Sequence, residues 1–140
     1  MVDKVLFSSA TDEWSTPQHV FDQWDANYHF DLDVCATPQN AKCKRYFTRA
    51  DDGLAQVWTG SCWMNPPYGR EVGLWVEKAW RSVDKGQADF VVCLLPSRTD
   101  TKWFHDYCWK YGKVYFLRGR LKFGGATNSA PFPSMITVFG

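Results

Sequence analysis

The sequence predicts an α/β protein built on a mostly parallel sheet, and three observations carry that expectation. Apolar runs of strand length recur at Phe30–Ala36, Ser61–Met64, Ala88–Leu95, Val114–Leu117 and Met135–Phe139. Segments with apolar residues at helical spacing separate most of them, and strands alternating with helices imply right-handed crossovers with helices on both faces of the sheet. The last two runs flank Gly119–Phe123 and Ala130–Ser134, which predicts an antiparallel C-terminal hairpin at the sheet edge.

Taken in order, Ser15-Thr16-Pro17 offers a capping hydroxyl followed by proline at a first helical position, and Val20, Phe21 and Trp24 follow at helical spacing. A helix is expected from Pro17 to Asn27. The run Phe30-Asp-Leu-Asp-Val-Cys-Ala36 alternates and stops at Thr37-Pro38, so it reads as a strand that delivers Asp33 to its end. Gln39–Arg49 shows no clear period. Asp51-Asp52-Gly53-Leu54 is suited to cap a single turn reaching Trp58, and Ser61–Met64 is a buried strand that opens into a loop at a double proline. Val72, Trp75, Val76, Ala79 and Val83 share one face of a helix over Arg70–Lys85, with Gly86 as its stop. Ala88–Leu95 is long and apolar apart from Asp89, as a strand buried on both faces should be, and Thr101–Tyr111 reads as an aromatic-rich helix closed by Gly112.

With 140 residues and a 45% hydrophobic share, the chain is sized for one domain with a real core. A net charge of +1 makes no global case for a polyanionic partner, so any nucleic-acid surface must be a local cluster. The five cysteines, Cys35, Cys43, Cys62, Cys93 and Cys108, form no Cys-x-x-Cys pair and are read as reduced thiols. His105 and Cys108 lie one helical turn apart without a matching second pair of ligands, so no metal site is expected. Met1-Val-Asp-Lys4 lacks an apolar leader and no run reaches the ~18 apolar residues of a membrane span, from which a cytoplasmic location and no membrane partner are expected.

In a parallel sheet, ligands bind outside the carboxyl ends of the strands. Asp33, Asn65-Pro66-Pro67-Tyr68 and Pro96-Ser-Arg-Thr-Asp100 all follow strands and should converge there. The proline pair fixes φ and withholds two backbone donors, leaving carbonyls as acceptors. An amine held by the Asn65 side-chain oxygen and the Pro66 carbonyl has both N–H bonds directed into the protein and its lone pair free to meet an electrophile. Such a device suits the exocyclic nitrogen of a nucleobase, whose lone pair is a poor nucleophile until the amine is drawn toward a pyramidal shape. Asn65 is neutral and is not a base, and Tyr68 supplies a face on which a planar base can stack.

These segments together resemble the phage-encoded DNA N6-adenine methyltransferase family, Dam-like and of the Asn-Pro-Pro-Tyr type. The resemblance spans nearly the whole chain: Trp14-Ser-Thr-Pro17, Asp31-Leu-Asp-Val-Cys-Ala36 with Asn40-Ala-Lys42, Asp52-Gly-Leu54, Asn65-Pro-Pro-Tyr68, Leu95-Pro-Ser-Arg-Thr-Asp-Thr101 with Trp103-Phe-His105, and Gly119-Arg-Leu-Lys-Phe123. It implies a compact Rossmann-like methyltransferase fold in a single domain without a separate target-recognition domain. It implies S-adenosylmethionine as methyl donor, DNA as substrate, and Asn65, Pro66, Pro67 and Tyr68 as the catalytic loop. Thr16 and Pro17 resemble an element that holds the methionine end of the cofactor, for which a helix N-terminus is physically suited. Asp33 resembles the acidic residue of the first cofactor motif, followed by Cys35 and Ala36. Asp52 resembles the residue that meets the cofactor adenine, although Asp51 is equally placed. The chain departs from the usual pattern in having no glycine within Cys35–Asn40, and no acidic residue ends a second long strand; Asn40 is the substitute for the ribose contact.

Arg98, Lys102, Arg120 and Lys122 are interleaved with Trp103 and Phe123 in two late segments, a local basic and aromatic surface for DNA. Within a duplex the target amine is paired, so the adenine must be flipped out or the substrate single-stranded. With all 140 residues in the catalytic fold, built-in sequence recognition is expected to be slight, or supplemented by a second copy or a partner subunit. Two rival readings stand beside this one: amino-methylation of cytosine N4, RNA adenine or protein glutamine, and a non-catalytic nucleic-acid-binding derivative.

Overall fold

The structure, a computed structural model, describes residues 14–140; the Met1–Lys4 segment lies outside them. The sequence-predicted elements fall into a six-stranded sheet, β1 (Leu32–Asp33), β2 (Arg45–Tyr46), β3 (Gly60–Met64), β4 (Ala88–Pro96), β5 (Lys113–Phe116) and β6 (Ser134–Phe139), in the order β2-β1-β3-β4-β6-β5. The β2, β1, β3 and β4 strands run parallel; β6 alone is reversed, antiparallel to both β4 and β5. The expected C-terminal hairpin is therefore present, with β5 at the edge and β6 drawn inside. Its interior place follows from its composition: every residue of Ser134–Phe139 is buried, and the strand pairs with β4 from Val91↔Phe139 to Pro96↔Ser134.

Side-chain alternation gives the sheet two apolar faces. Trp63, Val92, Leu94, Ile136 and Val138 face one way and pack under Val20 and Phe21 of α1 (Gln18–Tyr28). Cys62, Met64, Val91, Cys93, Leu95, Met135 and Phe139 face the other way and meet Val72, Trp75, Val76 and Ala79 of α2 (Val72–Asp84), the stripe that the periodicity picks out. Each large aliphatic or aromatic side chain buried in this way contributes roughly 1.5–3 kcal/mol. Asp25 ends α1: its carbonyl accepts the N–H of left-handed His29 and its carboxylate accepts that of Phe30.

Two local expectations change. The Thr16 hydroxyl does not cap α1; Pro17 occupies the cap position with no side-chain bond, because the hydroxyl has partners elsewhere. The Thr101–Tyr111 helix is wound as a π-helix over Phe104–Trp109, burying Phe104 and Cys108 against the α2 face. The uncertain Gln39–Arg49 stretch supplies β2, only two residues long but tied to β1 by reciprocal bonds, Ala36 N–H to Phe47 O and Phe47 N–H to Asp33 O. No disulfide links the five cysteines. Among the described residues no helix is long and apolar enough to cross a membrane.

Candidate active site

The chain leaves β1 toward β2 on one side of the sheet and leaves β3 toward β4 on the other, so the crevice at the carboxyl ends of β1 and β3 is a topological switch point. A cavity of about 420 Å³ opens there, within the range of small-molecule sites. Thr16, Asp33, Cys35, Ala36, Asn40, Asp52, Asn65, Pro66 and Pro67 all line it. The expected residues thus arrive at one wall from five separate stretches of chain. Pro17 and Tyr68 do not line it, nor do Arg98, Lys102, Arg120, Lys122 and Phe123.

Asp33 ends β1 with a side chain only 3% exposed. Its carboxylate accepts the backbone N–H groups of Cys35 (3.4 Å) and Lys42 (3.1 Å). Burial dominates over these bonds and raises its pKa from 3.8 to about 6. An acid in that condition, on the wall of a cavity, gains most from a cationic ligand group that restores a counter-charge.

The missing glycine of the first loop has a structural replacement. Asn40 Oδ1 accepts the Thr37 N–H, the Thr37 hydroxyl accepts the Asn40 N–H, and Asn40 Nδ2 donates to Ser15. Side-chain bonds shape the turn that glycine shapes elsewhere, using one N–H and one oxygen lone pair of the Asn40 amide. The close approach comes instead at Gly53, where a Cβ would stand 2.5 Å from the Val34 carbonyl oxygen and 2.9 Å from the Trp75 ring. Trp58, fully buried, fastens that turn by donating from Nε1 to the Gly53 carbonyl.

The same turn separates the two candidate aspartates. Asp51 accepts both the N–H and the hydroxyl of Thr48 in a capping box, whereas Asp52, in the left-handed region at φ 54°, lies on the cavity wall. Phe47, Leu54, Glu71 and Trp75 also line the cavity without having been anticipated. Phe47 follows β2, a strand that the Gln39–Arg49 pattern does not reveal, and the others depend on packing.

Asn65 follows β3. Its Nδ2 donates to the Trp14 carbonyl and to the Thr16 hydroxyl (3.0 Å), while its Oδ1 is buried and has no hydrogen-bond partner among the described residues. A buried acceptor left unpaired costs about 1–3 kcal/mol, so its retention at a ligand cavity marks a place kept for a donor.

Tyr68 corrects an expectation. Its ring is 3% exposed, set edge-on against Phe123 and Phe132, and its hydroxyl donates to the Leu94 carbonyl at 2.9 Å. Burial pushes the phenol well above its usual range, so it remains a donor and not a base. It offers no open stacking face here, because that ring gains more from the aromatic cluster than from water. Phe123 is corrected in the same way, being 2% exposed. Lys102, Arg120 and Lys122 are exposed, and Arg98 braces the loop by donating from Nη1 to the Tyr68 carbonyl at 3.0 Å.

A mixed sheet with one reversed strand, helices on both faces and this cavity at the switch point match the architecture of the Rossmann-like methyltransferases. The family model described as DNA N-6-adenine-methyltransferase (Dam) matches residues 4–137, and the chain belongs to that family. It is 36% identical over 141 aligned positions to the DNA N-6-adenine-methyltransferase of Haemophilus phage HP1 (strain HP1c1), covering 94% of this chain and 80% of that protein. A second relative is YfdM of Escherichia coli (strain K12), whose name assigns it to the methyltransferases only provisionally; it is 37% identical over 67 positions, 41% of this chain and 71% of that protein. The activity is methyl transfer to the N6 amino group of adenine in DNA, with S-adenosylmethionine the methyl donor that the family implies.

Proposed function

We propose that the cavity binds S-adenosylmethionine and that Asn65 receives the adenine amine beside it. The observation that carries this reading is the unpaired, buried Asn65 Oδ1 at the wall of a cavity that also contains a buried carboxylate. The residues suit the cofactor: Asp33 would meet its ammonium or sulfonium charge, Cys35 and Ala36 its amino-acid end, and Asp52, Phe47, Leu54 and Trp75 its adenosine. When bound, the cofactor supplies a methyl group on a positively charged sulfur.

The protein's part is to hold the nucleophile. One N–H of the adenine amine donates to Asn65 Oδ1 and the other to the Pro66 carbonyl, which leaves the nitrogen lone pair free. Once methylated, the nitrogen would carry a positive charge and would give its proton to water, with Asn65 Oδ1 and the Pro66 carbonyl still holding the amine. No side chain acts as base: Asn65 is neutral and the Tyr68 phenol is held as a donor to Leu94. Catalysis is then chiefly alignment, which supplies several kcal/mol in well-oriented transfers.

The catalytic fold forms one domain, and a base reaches Asn65 flipped from the duplex or from a single strand. Trp14, Phe123 and Phe132 form one edge-packed cluster with Tyr68, so base entry requires these rings to shift. Exposed Arg98, Lys102, Arg120 and Lys122 contact phosphates, which position DNA without reading it, and sequence discrimination is correspondingly slight. The test is transfer of labelled methyl groups to adenine-containing DNA, adenine-free DNA, RNA and protein by the wild type and by Asn65→Ala. Label on adenine-containing DNA alone, lost in the variant with cofactor affinity retained, is expected; full activity of the variant overturns the role of Asn65.

A further inference from the structure

Thr16 is buried, yet its hydroxyl neither caps α1 nor faces an apolar pocket without partners. The oxygen accepts two hydrogen bonds, from Trp63 Nε1 at 3.2 Å and from Asn65 Nδ2 at 3.0 Å. The second N–H of the Asn65 amide goes to the Trp14 carbonyl. Both donors of that amide are thereby directed to fixed acceptors, one on each side.

An asparagine amide has two orientations related by a half-turn about its terminal torsion, and they exchange donors for an acceptor. In the reversed orientation Oδ1 would face the Trp14 carbonyl, which has no proton to give, whereas the Thr16 hydroxyl could still meet it by turning its own O–H toward it. Two acceptors face to face repel, and partial burial strengthens that repulsion. The Trp63 indole, fully buried in the sheet, holds the Thr16 oxygen in place by its own N–H. We infer that Thr16 is a positioning residue for methyl transfer: the Trp14 carbonyl sets which way the Asn65 amide faces, and Thr16, pinned by Trp63, holds that amide in the place from which its oxygen meets the substrate amine.

This inference rests on Asn65 accepting the amine and differs from a role for Thr16 in holding the cofactor. Thr16→Val keeps the shape and removes the hydroxyl; Thr16→Ser keeps the hydroxyl. Thr16→Val is expected to lower the single-turnover transfer rate about 100-fold, as misplacement of a reacting group does, with cofactor affinity by calorimetry within about 3-fold; Thr16→Ser is expected to recover most of the rate. In the unliganded protein, the 15N-labelled Asn65 side-chain amide should exchange slowly with solvent in the wild type and in Thr16→Ser, and rapidly in Thr16→Val. An unchanged rate in Thr16→Val overturns this role, as does loss of cofactor affinity with a normal rate at saturation. Should Thr16→Val not fold, rapid exchange of the wild-type Asn65 amide overturns it equally. If Asn65→Ala is inactive while Thr16→Val is active, the role of Thr16 alone fails; if Asn65→Ala is active, the underlying reading fails as well.

Discussion

The two sides of the Asn65 loop are built by different rules. Toward β1 and β2, the cavity is open and its polar groups are arranged by backbone: Asp33 accepts two N–H groups, and the Asn40–Thr37 pair shapes the turn beside it. Toward β4 and residues 117–133, aromatic rings close over the loop, and Tyr68 is sealed with its hydroxyl on Leu94. A small-molecule site works best preformed, since each group ordered beforehand need not be ordered on binding. The aromatic side instead fixes the loop's own backbone, since the Tyr68 ring packs on Phe123 and Phe132 and Arg98 donates to the Tyr68 carbonyl.

Substitutions on the two sides should therefore fail in distinguishable ways. The largest effect is expected where the sides meet: Asn65→Ala should lower methyl transfer by at least about 100-fold with little change in cofactor affinity, measured by single-turnover assay and calorimetry. Next comes Asp33→Asn on the cavity side, which should weaken cofactor binding by roughly 10-fold or more, equivalent to at least about 1.4 kcal/mol. Its pH dependence has a definite sign. Because the folded pKa of Asp33 is raised from 3.8 to about 6, its stabilising contribution is complete below about pH 4 and is lost as pH rises through 6. Unliganded Asp33→Asn should consequently be more stable than wild type at neutral pH, by on the order of 2–3 kcal/mol, and the difference should vanish in acid. Wild-type affinity for the cationic cofactor should fall as pH drops below about 6, and a thermal-melt and calorimetry series would reveal either failure of this pattern.

On the aromatic side, Tyr68→Phe removes only the bond to Leu94, so a loss of about 1 kcal/mol is expected, or roughly 4 °C in melting temperature. An unaltered melting point would show that the hydroxyl is not held as described. The smallest effect belongs to the exposed cations. Arg120→Ala and Lys122→Ala should each raise the DNA KM only a few-fold and reduce the salt-dependence slope by about 1, with kcat intact. A change confined to kcat would remove them from the DNA surface.

Much of this architecture was legible before folding. Ala88–Leu95 is too long and too apolar to be anything but an interior strand, and the stripe from Val72 to Val83 permits a helix on only one face of the sheet. Asn65-Pro66-Pro67 after a buried strand marked a loop that lines the cavity, because proline chemistry and strand placement are local properties. Such features follow from neighbours in the chain. The choice between Asp51 and Asp52 does not, since both suit a turn and only the capping box at Thr48 separates them. Nor does the burial of Tyr68, which depends on Phe123 and Phe132 returning from far along the chain. Thr16 marks the boundary most clearly. A hydroxyl before a proline reads locally as a helix cap, but the bonds it makes reach Trp63 and Asn65, 47 and 49 residues away. Periodicity and turn chemistry specify elements; the partner of a single polar atom is settled by which elements pack together, because a hydrogen bond requires contact and contact between distant residues exists only in the fold.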